Sequence, residues 1–225
     1  MKTIIKILIS LAASVVIFCV CILFGLLLLV GDDRFYESSF KKYEVASSTG
    51  LTEEGLKSVN DRTLDFLNSK ADDLIIYEER YGKNTLIFNE NEQSHMEDVK
   101  ALYIGFKAVG FICVLAAAVY YYFMIKNRSK QMAKYVLIGC AGAAAIPAIF
   151  VAFFDKAFVF FHRIFFEGDS WLFSPKTNII VNIYTEGFFV DFCTRLAVYA
   201  VSACLIFLLS ALYFKNFFSE KVKRG

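Results

Sequence analysis

From Ile7 to Val30 the chain carries no charged side chain, and three further stretches are almost as apolar. A hydrocarbon core about 30 Å thick needs roughly 20 consecutive, mostly apolar residues in a helix. The first stretch extends from about 4 to 30, with Lys6 its last charge. The second, 101–125, is interrupted only by Lys107. The third, 135–154, is rich in Ala and Gly, and the fourth is 192–214. Lipid offers no partner for backbone N–H and C=O groups, so each stretch is expected to be helical. With 57% of its 225 residues hydrophobic and only two prolines, the chain has the composition of an integral membrane protein rather than a water-soluble domain.

The first stretch is longer than the h-region of a secretory signal, and Leu-Val-Gly-Asp-Asp provides no small-residue cleavage site. It reads as a retained anchor. Orientation follows from the basic residues of the short segments. Lys2 and Lys6 flank the first stretch. Lys126, Arg128, Lys130 and Lys134 fill the hinge between the second and third. Lys215, Lys221, Lys223 and Arg224 follow the fourth. In a four-span chain these fall on one side, the cytoplasm, which leaves 31–100 and 155–190 outside. The basic hinge is accounted for by topology and by anionic lipid, without nucleic acid.

Cys19, Cys21, Cys113, Cys140 and Cys204 lie within the apolar stretches, and Cys193 lies at the mouth of one. No CxxC spacing occurs, so they read as small buried hydrophobes rather than as metal or redox groups.

Segment 31–100 is too long for a bare loop. Leu56, Val59, Thr63, Phe66 and Leu67 recur at helical spacing, which predicts a helix over 52–68 with Asn60 and Asp61 on its wet face. Thr85 to Phe88 reads as an extended piece. Asn89 and Glu92 have the spacing of a capping box, which predicts a helix that starts there and continues through His95 and Asp98 into the second span. Segment 155–190 mixes Phe158, Phe160, Phe161, Phe165, Phe166, Trp171 and Phe173 with Asp155, Lys156, His162, Arg163, Glu167 and Asp169. Such a segment is expected to lie in the outer membrane interface. The fold class expected is an all-α membrane protein. It has one four-helix transmembrane domain over 1–225, a small, mainly helical extracytoplasmic insertion at 31–100 and an interfacial aromatic segment at 155–190.

The only two histidines, His95 and His162, both fall on the outer side beside a span. Histidine is suited to proton transfer near neutral pH, and its amphipathic ring equally suits it to anchoring at an interface. Two histidines with scattered carboxylates match no zinc spacing, so neither metal nor cofactor is expected. Lys107, Asp155, Asp191 and Arg195 are ionisable groups near the outer ends of spans, where pairing of Lys107 with Asp155 or of Asp191 with Arg195 would orient helices around a cavity.

Glu92-Gln93-Ser94-His95-Met96-Glu97-Asp98-Val99-Lys100 resembles the E-x-x-H-M-x-D-V-K stretch of the lipoprotein intramolecular transacylases of low-GC Gram-positive bacteria. Asp155-Lys156-Ala157-Phe158-Val159-Phe160-Phe161-His162-Arg163-Ile164-Phe165-Phe166, followed by Gly168-Asp169-Ser170-Trp171 and Pro175, is similar to a second stretch of that family. The likeness runs over nearly the whole chain. It departs at Ser174 and Asn178, where an acid is expected, and near Thr185, where a proline is expected. These departures bear on lipid or lipoprotein preference.

The resemblance implies an acyltransferase of the bacterial cytoplasmic membrane, without a cofactor, whose substrates are diacylglyceryl-modified lipoproteins. The implied reaction moves the sn-2 acyl chain from the glycerol oxygen to the α-amine of the N-terminal cysteine. Ester and amine are tethered in one molecule, so the task is mainly orientation and proton management. His162 is expected to act as base, and His95, oriented by Glu92 or Asp98, as its partner in proton transfer; the reverse assignment stays open. Asp155 is a supporting residue, and Arg163 or a backbone N–H is a candidate for the oxyanion. Phe161, Phe165, Phe166 and Trp171 are expected to hold acyl chains. The competing expectation is a non-catalytic membrane protein that docks a partner on 31–100.

Overall fold

The computed structural model describes residues 2–126 and 130–223; Arg128 and Arg224 of the basic segments lie outside them. The chain is mainly helical and divides into two compact units.

One unit comprises the helical segments 2–27, 107–126, 130–152 and 194–223. These belong to α1 (Lys2–Val30), α5 (Glu90–Lys126), α6 (Lys130–Ala152) and α9 (Glu186–Lys223). Ala13, Ile17 and Cys21 of α1, Ala117 and Tyr120 of α5, Val136 and Cys140 of α6 and Cys204 of α9 form one buried cluster. The i, i+3 and i, i+4 spacings within it are those of a helix seam. Small residues let the backbones approach. At Gly110 of α5 an added Cβ would run into the Leu23 side chain of α1. Ser10, Ser14 and Tyr120 bond to one another within the seam: Ser14 Oγ donates to Ser10 O at 2.8 Å and Tyr120 Oη to Ser10 Oγ at 3.2 Å. The cysteines are free thiols.

Away from this seam, Phe111, Ile112, Leu115, Leu205, Ile206 and Leu209 are left uncovered by protein. Apolar surface of that kind on a long helix is lipid-facing. Among the described residues, three helices combine the length and hydropathy of a membrane span, within Ile7–Val30, Glu90–Phe123 and Glu186–Ser210. The third expected stretch is a 23-residue helix, α6, about 35 Å long at 1.5 Å per residue. It ends at Ala152, and Phe154 already belongs to the next helix.

The other unit comprises 28–106 and 153–193. It opens with α2 (Asp33–Lys42), capped by Asp32, and the short α3 (Val45–Thr49). The expected helix at 52–68 is α4 (Glu53–Leu67), whose Thr52 side chain accepts from Gly55 N at 3.0 Å. Leu56, Val59, Thr63 and Phe66 of α4 are buried as their spacing predicts. Asn60 is a correction: it is buried, not on the wet face, because Tyr184 covers that side and donates to Asn60 Oδ1 at 3.3 Å. A two-stranded antiparallel hairpin, β1 (Tyr77–Arg80) and β2 (Lys83–Leu86), turns at Tyr81 and Gly82; Thr85 and Leu86 of the expected extended piece end its second arm, and Ile87 and Phe88 lie beyond the strand. An aromatic cluster of Phe35, Tyr36, Phe40, Tyr184 and Phe188 joins α2 to the start of α9. Asp191 on that first part of α9 accepts from Lys42 Nζ at 2.7 Å and Tyr43 Oη at 2.8 Å, partners that no local pattern pointed to. Between α6 and α9 stand α7 (Phe154–Phe165), an irregular stretch to 179, and α8 (Ile180–Ile183).

Candidate active site

Helix α5 is 37 residues long, about 55 Å, and the hydrocarbon core is about 30 Å thick. Its charged first turns, 90–100, therefore stand outside the apolar span. They begin with a reciprocal capping box: Asn89 N donates to Glu92 Oε2 at 2.8 Å, and Glu92 N donates to Asn89 Oδ1 at 3.1 Å. The second Glu92 oxygen, Oε1, accepts from Ile180 N at 2.8 Å. Glu92 is almost fully buried, and burial raises its carboxyl pKa while the backbone donors pull it down. This carboxylate clips the start of α5 to α8.

One turn further on, α5 presents His95, 8% exposed. Its ring packs against Phe166 at 4.8 Å between centroids and against Phe173 at 5.2 Å. Its Nδ1 is sealed from solvent and meets no hydrogen-bond partner. Desolvation, helped by the neighbouring His162, lowers its pKa to about 4, with Asp98 pulling weakly the other way. His95 is thus a neutral imidazole at physiological pH.

The second histidine comes from α7. Phe154, Phe158 and His162 recur every four residues on one side of this helix, while Phe160 and Ile164 lie exposed on another. His162 Nδ1 is 2.8 Å from the Phe158 carbonyl one turn back. A carbonyl only accepts, so Nδ1 carries the proton and Nε2 keeps its lone pair. Burial lowers the His162 pKa, and the bond to Phe158 opposes that shift. The His162 ring lies 4.0 Å from Phe158, 5.2 Å from Phe166 and 4.9 Å from Trp171. The two imidazoles stand 6.4 Å apart and nearly parallel, at 18°, too far for a direct hydrogen bond.

A tight turn brings Trp171 back onto the end of α7. Gly168 takes φ +58°, a left-handed conformation that suits glycine, and Leu172 N then donates to Asp169 O at 3.0 Å. Trp171 Nε1 is buried and has no hydrogen-bond acceptor. Two neutral imidazoles and an unused indole N–H are thus held in an aromatic cage. One ring nitrogen with a free lone pair can take a proton, and the unpaired nitrogens can exchange hydrogen bonds with an entering polar group.

A family model for "Lipoprotein intramolecular transacylase Lit" matches residues 11–189. The chain belongs to the Lit family. It is thereby an acyltransferase and an integral membrane protein. The fold agrees with solved Lit structures. The membrane-integral transacylase Lit from Bacillus cereus superposes with a TM-score of 0.78 at 18% identity, covering 98% of this chain and 99% of that one. Its histidine-to-arginine and histidine-to-alanine variants superpose at 0.75 and 0.76, each at 17% identity, covering 99% and 100% of this chain and 96% and 98% of those chains. A comparison with curated proteins returns no match.

In this Lit-family chain the expected site residues separate into two groups. His95, His162, Phe161, Phe166 and Trp171 come together, with Phe165 packed on Phe161 at 4.9 Å. Asp98, Asp155 and Arg163 are exposed, and Glu92 is spent on backbone N–H groups. Phe158 and Phe173, which touch the two histidines, were not among the expected site residues. The four-residue spacing of Phe158, His162 and Phe166 was the available signal for the first. Nothing local marked Phe173. Among the described residues no cluster of three or more His, Cys, Asp or Glu side chains could hold a metal.

Proposed function

We propose that this acyltransferase moves the sn-2 acyl chain of a diacylglyceryl-cysteine lipoprotein to the α-amine of that cysteine, with His162 as the base. The observation that carries the reading is the His162 tautomer: Nδ1–H is fixed on the Phe158 carbonyl, so Nε2 is left as a lone-pair acceptor. The neutral amine attacks the ester carbonyl and an N–C bond forms. His162 Nε2 takes a proton from the attacking nitrogen. As the C–O bond to glycerol breaks, that proton passes to the departing sn-2 oxygen, directly or through His95. The products are an amide and a free sn-2 hydroxyl, with no external donor or acceptor. The Phe161–Phe165–Phe166 side of the cage supplies apolar surface for the acyl chains.

The charge pattern supports a topology in which α1, α5, α6 and α9 all span, both ends are cytoplasmic, and 31–100 and 155–190 face outward with the site at headgroup depth. An ester at that depth need not be extracted from the bilayer. The test is tandem mass spectrometry of N-terminal lipopeptides from a host that lacks its own lipoprotein N-acyltransferase and expresses this protein. Acyl migration leaves the mass unchanged, so fragmentation must locate the chain. We expect N-acyl, lyso-glyceryl fragments with wild type and a loss of about 10²-fold or more with His162→Ala. A free α-amine with an intact diacylglyceryl group, across several lipoproteins and in well-expressed wild type, would rule the reaction out.

A further inference from the structure

The proton chemistry accounts for the two histidines but leaves the ester carbonyl without a partner. As the amine attacks, that oxygen gains charge, and in an apolar cage it needs a hydrogen-bond donor. His162 Nδ1–H is already committed to Phe158 O. The side chains of Phe158, Phe161, Phe166 and Phe173 offer nothing polar. Arg163, expected as a donor alongside a backbone N–H, is exposed.

Trp171 is different. Its indole ring is 4.9 Å from the His162 ring, and its N–H is shut off from solvent with no acceptor. Indole nitrogen can only donate. A buried donor left unmet costs stability, so a donor kept idle beside a basic imidazole calls for an occupant. The Gly168 turn and the Leu172–Asp169 bond hold the loop that presents it. We propose that Trp171 Nε1–H donates to the carbonyl oxygen of the scissile ester and stabilises the oxyanion of the tetrahedral intermediate. Trp171 is then a catalytic residue, and not only an apolar wall for acyl chains. The bond is made and broken without transfer of the indole proton. It also selects substrate: an ester or amide carbonyl meets the N–H, and a bare hydrocarbon chain in the same place leaves it unmet.

The inference rests on the transacylase reading, so wild type and His162→Ala are run beside the test variants, with a synthetic diacylglyceryl lipopeptide in mixed micelles. Trp171→Phe removes the N–H and keeps an aromatic ring. Replacement of Trp171 by benzothienylalanine keeps the bicyclic shape and exchanges N–H for sulfur. We expect kcat to fall about 10²-fold in both, with KM within about twofold and the melting temperature unchanged or higher, since an unmet buried donor has been removed. Wild-type kcat in the benzothienylalanine protein overturns the proposal, whatever Trp171→Phe does, because ring shape alone is then sufficient. Absence of transfer in wild type overturns the underlying reaction instead.

Discussion

Burying His95 as a neutral imidazole makes its unit sensitive to acid. In the unfolded chain the ring titrates near 6.5, and in the fold it titrates at about 4. Between those values the unfolded state binds more protons, so stability is full above about pH 6.5 and drains away as pH falls toward 4. At about 1.4 kcal/mol per unit, the loss approaches about 3 kcal/mol. Desolvation of His162 acts in the same direction. Melting curves from pH 7.5 to 4.5 should show this decline, and His95→Phe should flatten most of it. Parallel curves for the two proteins would show that His95 is not desolvated in the fold. At this scale the sequence named both histidines, because they are the only two. It did not show that Asp98, three residues along on the same helix, stays in solvent while aromatic rings from α7 and the following loop enclose His95.

At the scale of elements, the start of α5 illustrates what a local pattern can and cannot reveal. Asn89 and Glu92 form their capping box because two polar side chains three residues apart meet the orphan N–H groups of a first turn. That much was legible. The other half of the Glu92 carboxylate is held by Ile180, 88 residues away, and no spacing encodes such a contact. Glu92→Ala removes a cap and a buried charge-assisted bond together, which should cost about 3 kcal/mol. The chemistry of the folded fraction should stay within about tenfold of wild type. Urea titration and activity per folded protein at low temperature separate the two effects. A full loss of kcat in a protein as stable as wild type would give Glu92 the role of orienting His95 instead. Asn60 shows the same limit in reverse. Helical spacing placed it off the apolar stripe, correctly for α4 alone, but Tyr184 packs there and buries it.

At the scale of the whole molecule, the helical seam and the unit that carries the histidines rest on different physics. The seam relies on close packing of small residues and on hydrogen bonds among Ser10, Ser14 and Tyr120, since lipid provides no hydrophobic drive between helices. The other unit has capped helices, a hairpin and an aromatic core, the devices of a protein in water. Its placement outside the cell is testable with single cysteines. Ser47→Cys and Ser170→Cys, both at exposed positions, should react with a membrane-impermeant maleimide in intact cells. Lys126→Cys should react only after permeabilisation. The opposite pattern would invert the topology and place the site in the cytoplasm.

The sequence by itself determined that the chain is a helical membrane protein, where its long helices run, and that it has only two imidazole rings. Those properties depend on composition and on spacing within one helix, so each is local. Only the tertiary structure decided which side chains surround those rings, which tautomer His162 adopts, that Glu92 serves the fold, and that the Trp171 N–H is left unmet. The Glu92 contact and the rings around His95 depend on segments distant in the chain that come within about 3–5 Å, whereas the His162 tautomer is set one turn back in its own helix. Burial then changes the chemistry, because the same imidazole that is ordinarily half-protonated near neutrality is held neutral once water is replaced by phenylalanine.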